Sequence, residues 1–377
     1  MAPNKVKICI VIGTRPEAIK MAPVILSLKQ RSEFTIKTIV TAQHRGMLDQ
    51  VLTVFQIKPD FDLNIMSCKQ SLTEISCRVL EGITPILEAE NPDLMMVHGD
   101  TTTTLIGSLS AFYHKVKVAH VEAGLRTGDK WRPYPEEINR VLTGKIADFH
   151  FAPTEKARQN LLAENVPREA IFVTGNTVID ALNICLARTR APETSDTRLI
   201  LVTAHRRENW GLPLKNIIHA LQRILTDNPK IRLLIPVHLN PVVQQVFTEG
   251  FQNEPRVKLV KPLDYQEMVA AMMAADLIIT DSGGLQEEAP ALGKPVLVLR
   301  DKTERPEAVI AGTVKLVGTD PEVIRRETNL LLNDPQEYRK MSQAVNPYGD
   351  GKASLRIIAG LRYIFGLTEE KPEEFFG

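Results

Sequence analysis

The stretch LIITDSGGLQEEAPALGKPVLVLRDKTERPEA, residues 277–308, decides how the rest of the chain is read. Its apolar start, 277–280, predicts a buried parallel strand ending at Asp281, and Ser282-Gly283-Gly284 turns the chain into a helix over 285–291. The first amides of such a helix lack intrahelical partners and stand at the positive end of its dipole. The turn is therefore a seat for an anion, with Ser282 adding a hydroxyl donor. Glu287 and Glu288, one turn further on, would repel a bare anion but can accept hydrogen bonds from ribose hydroxyls. Together these features suit a nucleoside diphosphate, although a plain strand-to-helix turn with glycines for tightness has the same local signature. Arg300 and Arg305, beyond the next strand at 296–299, add cations near the same edge and favour the ligand reading.

The same strand, polar turn and helix recur on both sides of this stretch. Strand 199–203 runs into His205-Arg206-Arg207-Glu208, strand 231–237 into His238-Leu239-Asn240-Pro241, and with 257–260, 277–280 and 296–299 they predict a parallel sheet of about five strands. An imidazole beside guanidiniums at a strand end reads as a diphosphate partner. Upstream, APETSDT at 191–197 is a polar, proline-containing hinge. The predicted layout is an N-terminal Rossmann-like domain over 1–190, a C-terminal one over 198–352, and a helix with an acidic tail over 353–377 that returns to the first. The helix is expected at 353–365, after the break at Pro347-Tyr348-Gly349-Asp350-Gly351, and the tail at 368–377 is expected to fray.

In the N-terminal half, strand 6–12 leads through Gly13-Thr14-Arg15-Pro16-Glu17 into a helix over 18–30. The loop lacks the G-x-G-x-x-G fingerprint, so NAD has no support there. It offers Arg15 at the ligand edge of the sheet, with Lys20 one turn into the helix. Strand 36–41 ends at Gln43-His44-Arg45, and 64–78 reads as a loop entering a helix. Strand 94–97 ends at His98-Gly99-Asp100, ahead of four threonines and a helix over 105–113. Asp100 alone suits a helix N-cap. Strand 116–121, however, ends at Glu122, and a proline-started helix at 133–140 brings Glu136 and Glu137 to its first turn. Three carboxyl positions, Asp100, Glu122 and Glu136, around one cleft form a general acid/base constellation, while one of the paired glutamates complements the helix dipole. Strands at 149–152 and 171–174 follow, and Gly175-Asn176-Thr177 opens a helix over 178–188.

Composition narrows the class. A chain of 377 residues exceeds what one core usually serves, and 46 Lys and Arg against 45 Asp and Glu leave no excess charge for nucleic acid or an acidic membrane surface. Cys9, Cys68, Cys77 and Cys185 are widely spaced, with no C-x-x-C pair to suggest a disulfide framework or a zinc knuckle. The apolar run 8–12 is too short for a signal peptide or membrane span, so a cytoplasmic protein acting on a small molecule is expected.

In order along the chain stand GTRPEAIKMAP, TAQHR-x-MLDQ, HGDTTTT, HVEAGLRT, YPEE-x-NR, TAHRRE, PVHLNP, DSGG-x-QEEAP, RD-x-TERPEA and NPYGDG. With these, the chain closely resembles the non-hydrolysing bacterial UDP-N-acetylglucosamine 2-epimerases over residues 5 to about 365. The resemblance implies two Rossmann-like doubly wound domains facing across a cleft in the GT-B manner, with the active site in that cleft. It implies a homodimer, and interconversion of UDP-N-acetylglucosamine and UDP-N-acetylmannosamine for cell-envelope polysaccharides. Carried over by motif, UDP binding falls to Arg15, Lys20, His205, Ser282, Gly283, Gly284, Glu288 and Arg305, and catalysis to Asp100, Glu122 and Glu136 with His205. Leu263 and Met268, before the DSGG strand, are expected to give backbone or packing contacts to the base. A second UDP-N-acetylglucosamine, bound as an allosteric activator, would meet Gln43, His44 and His238. Gly46 stands where some regulated members have a glutamine, a departure from that activator site.

The chemistry implied explains these groups. The C2 proton of the sugar is not adjacent to a carbonyl, so loss of UDP from C1 with removal of that proton, through a 2-acetamidoglucal, replaces simple deprotonation. Cations stabilise the departing diphosphate, and neither NAD nor a metal is required. The rivals are a GT-B glycosyltransferase with the same nucleotide seat, an epimerase releasing free N-acetylmannosamine, and a non-catalytic nucleotide-sugar sensor.

Overall fold

Every strand pair among the described residues is parallel, as β-branched runs buried on both faces require. A computed structural model describes residues 5–42, 45–67, 70–190, 197–303 and 305–376. The chain divides into one unit of Met1–Ile184 with Tyr348–Gly377 and a second of Cys185–Pro347. The first holds β1 (Val6–Ile12), β2 (Phe34–Val40), β3 (Phe61–Asp62), β4 (Leu94–His98), β5 (Lys117–Val121), β6 (Phe149–Ala152) and β7 (Ile171–Val173), ordered β3-β2-β1-β4-β5-β6-β7. The second holds β8 (Arg198–Thr203), β9 (Ile231–Pro236), β10 (Val257–Val260), β11 (Leu277–Thr280), β12 (Val296–Val298) and β13 (Val314–Leu316), ordered β10-β9-β8-β11-β12-β13.

Both are doubly wound. On β1, Ile8, Ile10 and Ile12 line one face and Cys9 and Val11 the other, all buried, so helices must cover both sides of the sheet. The second core is built likewise from Ile200, Val202, Leu233, Ile279 and Leu297 with Leu221 and Ile224 of the helix Leu212–Asp227. Strand order reverses between β1 and β4 and again between β8 and β11. Such reversals open a crevice beyond the strands' carboxyl ends, where α/β proteins bind ligands.

Several boundaries differ from the sequence reading. The second sheet has six strands, not about five, because β13 is only three residues with a lysine at its centre. The helix expected at 105–113 runs Thr102–Tyr113: Thr101 caps it by accepting from the Thr104 amide (3.2 Å), so the threonines are helical and Asp100 is not the cap. The chain leaves the first unit within the helix Thr177–Leu186, and residues 191–196 of the expected hinge lie outside the described residues.

The C-terminal helix Ala353–Ile364 packs on the first unit, against the helix Arg15–Lys29. Buried Asp180 caps it, accepting from the amides of Ala353 (3.1 Å) and Ser354 (2.8 Å). The tail does not fray as expected. The Phe375 amide donates to Val173 O at the end of β7 (2.9 Å), its buried ring lies under the Arg356 guanidinium (5.5 Å), and Glu374 pairs with Arg158 (2.6 Å). An edge strand, an aromatic ring and an ion pair together hold the tail at Glu374 and Phe375. Among the described residues no helix is long and apolar enough to cross a membrane.

Candidate functional site

At the carboxyl edge of the first sheet the β1 and β4 loops are tied by one buried acid that the sequence reading passed over. Glu17, third residue of the helix Arg15–Lys29, accepts from the amides of Gly13 (3.0 Å) and Thr14 (2.6 Å) through Oε2 and from the hydroxyls of Thr101 (2.8 Å) and Thr104 (3.0 Å) through Oε1. Burial pushes its pKa up, and the four donors oppose that shift. The Thr14-x-x-Glu17 spacing is a capping-box signature, and it was the available signal. The loops approach so closely that a Cβ on Gly13 would lie 2.3 Å from Thr103 Oγ1.

The loops so fixed carry Arg15, half-buried at the helix start, and Asp100. Asp100 is paired with Arg140, and its carbonyl accepts from Asn139 Nδ2 (2.9 Å). Burial raises the Asp100 pKa, and the charge of Arg140 opposes it. Glu136 begins the helix Glu136–Ile146, three and four residues before Asn139 and Arg140, and so shares the helical face that meets Asp100. Its neighbour Glu137 has the structural duty. Glu137 is buried, accepts from the amides of Thr127 (3.0 Å) and Gly128 (2.9 Å), and lies 3.2 Å from Arg140 Nη1.

Glu122 follows β5 with φ of 62°, the left-handed region a side chain rarely occupies, and a dense set of partners holds it there. Lys20, which the resemblance assigns to UDP, is ion-paired with Glu122 Oε2, and Asn176 Nδ2 donates to the same oxygen (2.7 Å). Asn176 is fixed in turn by the NPYGDG crossing, its amide donating to Tyr348 O (2.6 Å). Neither Asn176 nor Tyr348 was singled out from sequence, since only the fold brings residue 348 back to the first sheet.

At the edge of the second sheet, Asp281 ties the β8 and β11 loops. Its Oδ2 accepts from the amides of His205 and Arg206 (2.8 Å each) and from Asn209 Nδ2 (3.0 Å), and Oδ1 lies 3.1 Å from His205 Nδ1. Burial alone would raise its pKa, but these donors hold it below the usual carboxylate range. His205, well exposed, stacks on His238 with ring centroids 6.0 Å apart. The helix Gly283–Ala291 follows directly, and Ser282 at its N-cap makes no side-chain capping bond.

Glu288, buried in that helix, accepts from the Tyr265 hydroxyl (2.9 Å), and Glu287 accepts from Arg305 Nε (2.6 Å). Arg300 pairs with Glu208 (2.9 Å). Leu263 and Met268, both half-buried, flank Tyr265 around the start of the helix Tyr265–Ala274. Thus His205, His238, Ser282 to Gly284, Glu288 and Arg305 all belong to the second unit, and Arg15, Lys20, Asp100, Glu122 and Glu136 to the first. Gln43 and His44 lie outside the described residues; Gly46, just beyond, has open space where a Cβ would be. Among the described residues no cluster of three His, Cys, Asp or Glu groups could hold a metal ion.

Two doubly wound units in one chain, each with a polar switch point, define the GT-B-like class of α/β proteins. The chain belongs to the UDP-N-acetylglucosamine 2-epimerase family, whose model matches residues 26–362. The UDP-N-acetylglucosamine 2-epimerase of Bacillus subtilis is 53% identical over 99% of this chain and 100% of its own. A putative UDP-N-acetylglucosamine 2-epimerase from Listeria monocytogenes superposes with a TM-score of 0.92 at 47% identity, over 99% of this chain and 100% of that one. The Neisseria meningitidis enzyme, solved bound to UDP-GlcNAc, does so with a TM-score of 0.89 at 48% identity, over 94% and 99%.

Proposed function

We propose that this chain interconverts UDP-N-acetylglucosamine and UDP-N-acetylmannosamine without hydrolysis. The second unit's Ser282-Gly283-Gly284 turn, Arg305 and His205 serve the diphosphate, Glu288 the ribose, and Leu263 with Met268 the base; the family resemblance assigns Arg15 and Lys20 to UDP as well. In the forward direction the C1–O bond breaks and UDP departs with the electron pair. One of Asp100, Glu122 and Glu136 takes the C2 proton, which leaves a C1=C2 double bond in a 2-acetamidoglucal. Readdition of UDP, with a proton delivered to the opposite face of C2, completes the change. Cations and helix amides stabilise the leaving diphosphate, and this route needs no hydride carrier and no metal.

The observation that carries the reading is the pairing at the first sheet's edge, where Asp100 and Glu122 are each held by a buried cation, Arg140 and Lys20. A nucleotide sensor or a simple transferase has no need of two such fixed carboxylates. The test is incubation of the purified protein with UDP-N-acetylglucosamine and NMR of the products. A mass-neutral mixture of the two UDP-sugars supports the proposal, whereas free N-acetylmannosamine with UDP, or turnover only with a sugar acceptor, overturns it. The proposal extends to a soluble cytoplasmic homodimer supplying envelope polysaccharide precursors, and to activation by a second UDP-N-acetylglucosamine at His238 with Gln43 and His44.

A further inference from the structure

Three histidines, His98, His120 and His150, lie on the adjacent strands β4, β5 and β6, all buried, and the chemistry proposed above uses none of them. They are not equivalent. His120 Nε2 lies 2.7 Å from Gly99 O, an acceptor, so this nitrogen carries the proton and the ring is locked as a brace for the loop before Asp100. Apart from a contact with its own backbone, His98 has no hydrogen-bond partner at either ring nitrogen among the described residues, and the residue is only 3% exposed. Its Nε2 stands 3.9 Å from Glu122 Oε2. A buried imidazole without partners is costly, so one that persists beside a reactive carboxylate asks for a state in which it is used.

The groups around Glu122 say which state that is. Lys20 can only donate, and Asn176 faces Glu122 with its Nδ2 because its Oδ1 is taken by the Val178 amide (3.0 Å). Both therefore suit an ionised Glu122 and neither can accept from a protonated one. A neutral imidazole does both, donating from one nitrogen and accepting at the other, and burial keeps His98 neutral, its pKa pushed down to about 4. The charged and titratable groups that face it are Glu122 on the β5 loop, Lys20 on the first helix and His120 on β5. With no bond to another residue locking its tautomer, His98 can serve Glu122 in either protonation state after a movement of about 1 Å.

We propose that His98 is a positioning residue for Glu122, closing on its carboxyl group and accepting the hydrogen bond of the acid form each time Glu122 carries the sugar's proton. The proposal rests on the catalytic reading of Glu122 given above, and the first test is chosen to stand apart from activity. In nitrogen-15 spectra of the imidazoles, Glu122→Gln should shift His98 Nε2 and leave His120 Nε2 unmoved. An unshifted His98 would overturn the proposal whether or not the protein epimerises anything, whereas a protein without epimerase activity and with a shifted His98 defeats only the proposed function. In kinetics, His98→Gln, which keeps a group able to donate and accept, should retain turnover to within about tenfold. His98→Leu should lower kcat by roughly a hundredfold, move the pH limb of kcat and leave UDP affinity unchanged. Equal kcat in both variants, or a fall in kcat matched by equal losses of UDP affinity and melting temperature, would reduce His98 to a packing residue and defeat the proposal.

Discussion

The two sheet edges share a topology and are wired in opposite directions. In the first unit the tying acid, Glu17, sits on the helix after β1 and reaches across to the β4 loop; in the second, Asp281 sits at the end of β11 and reaches back to the β8 loop. Each accepts from two backbone amides of the loop that follows its unit's first strand. The difference lies in what remains to face a ligand. Where Thr101 caps its own helix, the first edge presents carboxylates paired with buried cations. Where Ser282 does not, the second presents a helix start, a hydroxyl and an imidazole. In the proposed function, the capped switch-point helix goes with the acid/base edge and the uncapped one with the anion seat.

The largest effect expected from this division is on turnover. Asp100→Asn, Glu122→Gln and Glu136→Gln should each lower kcat by roughly 10²–10⁴-fold with UDP affinity within about twofold of the starting protein. Steady-state kinetics beside calorimetric UDP titration measures both. Loss of UDP affinity in step with kcat would mean that these carboxylates themselves help to hold UDP, and would break the division.

Acid should separate the units next. Burial holds His98, His120 and His150 of the first unit at about 4, 3 and 4, below the ordinary 6.5. Their folded pKa values are depressed, so the unfolded chain binds more protons between these values. The stability they lend is full above about pH 6.5 and is lost as pH falls toward 4. Three such groups cost about 3–4 kcal/mol between pH 6 and pH 5. In the second unit His205 is well exposed, and burial lowers the His238 pKa without locking it away. Hydrogen exchange over this range should show protection falling in the first unit before the second; simultaneous loss would deny the histidines that role.

The tying acids come third. Glu17→Ala and Asp281→Ala each strand several buried donors and should cost about 2–4 kcal/mol of stability. Chemical denaturation measures it, and a loss below 1 kcal/mol in either would mean that its loops hold their shape without the tie.

Much of this was legible beforehand, for a physical reason. A parallel strand is a dense apolar run, and the residue that ends it lies at the ligand edge, so Arg15, Asp100, Glu122, His205 and Ser282 could be placed from local pattern alone. What escaped depends on partners far along the chain. Glu17 meets Thr101 84 positions away, Asn176 meets Glu122 at 54, and Asp281 meets His205 at 76. The tail misled for the same reason. Its acidic residues look solvated, while Phe375 and Glu374 find a strand edge and Arg158 that no local pattern announces.

The smallest effect is expected at the second edge, where removing one cation leaves several other donors. Arg305→Ala should weaken UDP binding by about 1–3 kcal/mol, the usual cost of losing a charged hydrogen-bonding partner, and leave kcat at saturating substrate nearly unchanged. Arg305 Nε also holds buried Glu287, so truncation strands that carboxylate whether or not Arg305 meets the diphosphate. Glu287→Gln separates the two effects. It removes the buried charge and keeps the guanidinium, so it should bind UDP within about threefold of the starting protein, while Arg305→Ala in the Glu287→Gln background should still lose most of its 1–3 kcal/mol. If the double variant instead bound UDP as well as Glu287→Gln alone, the loss would belong to the stranded carboxylate. Arg305 would then be a support for the helix Gly283–Ala291, and the anion seat would reduce to the turn, Ser282 and His205.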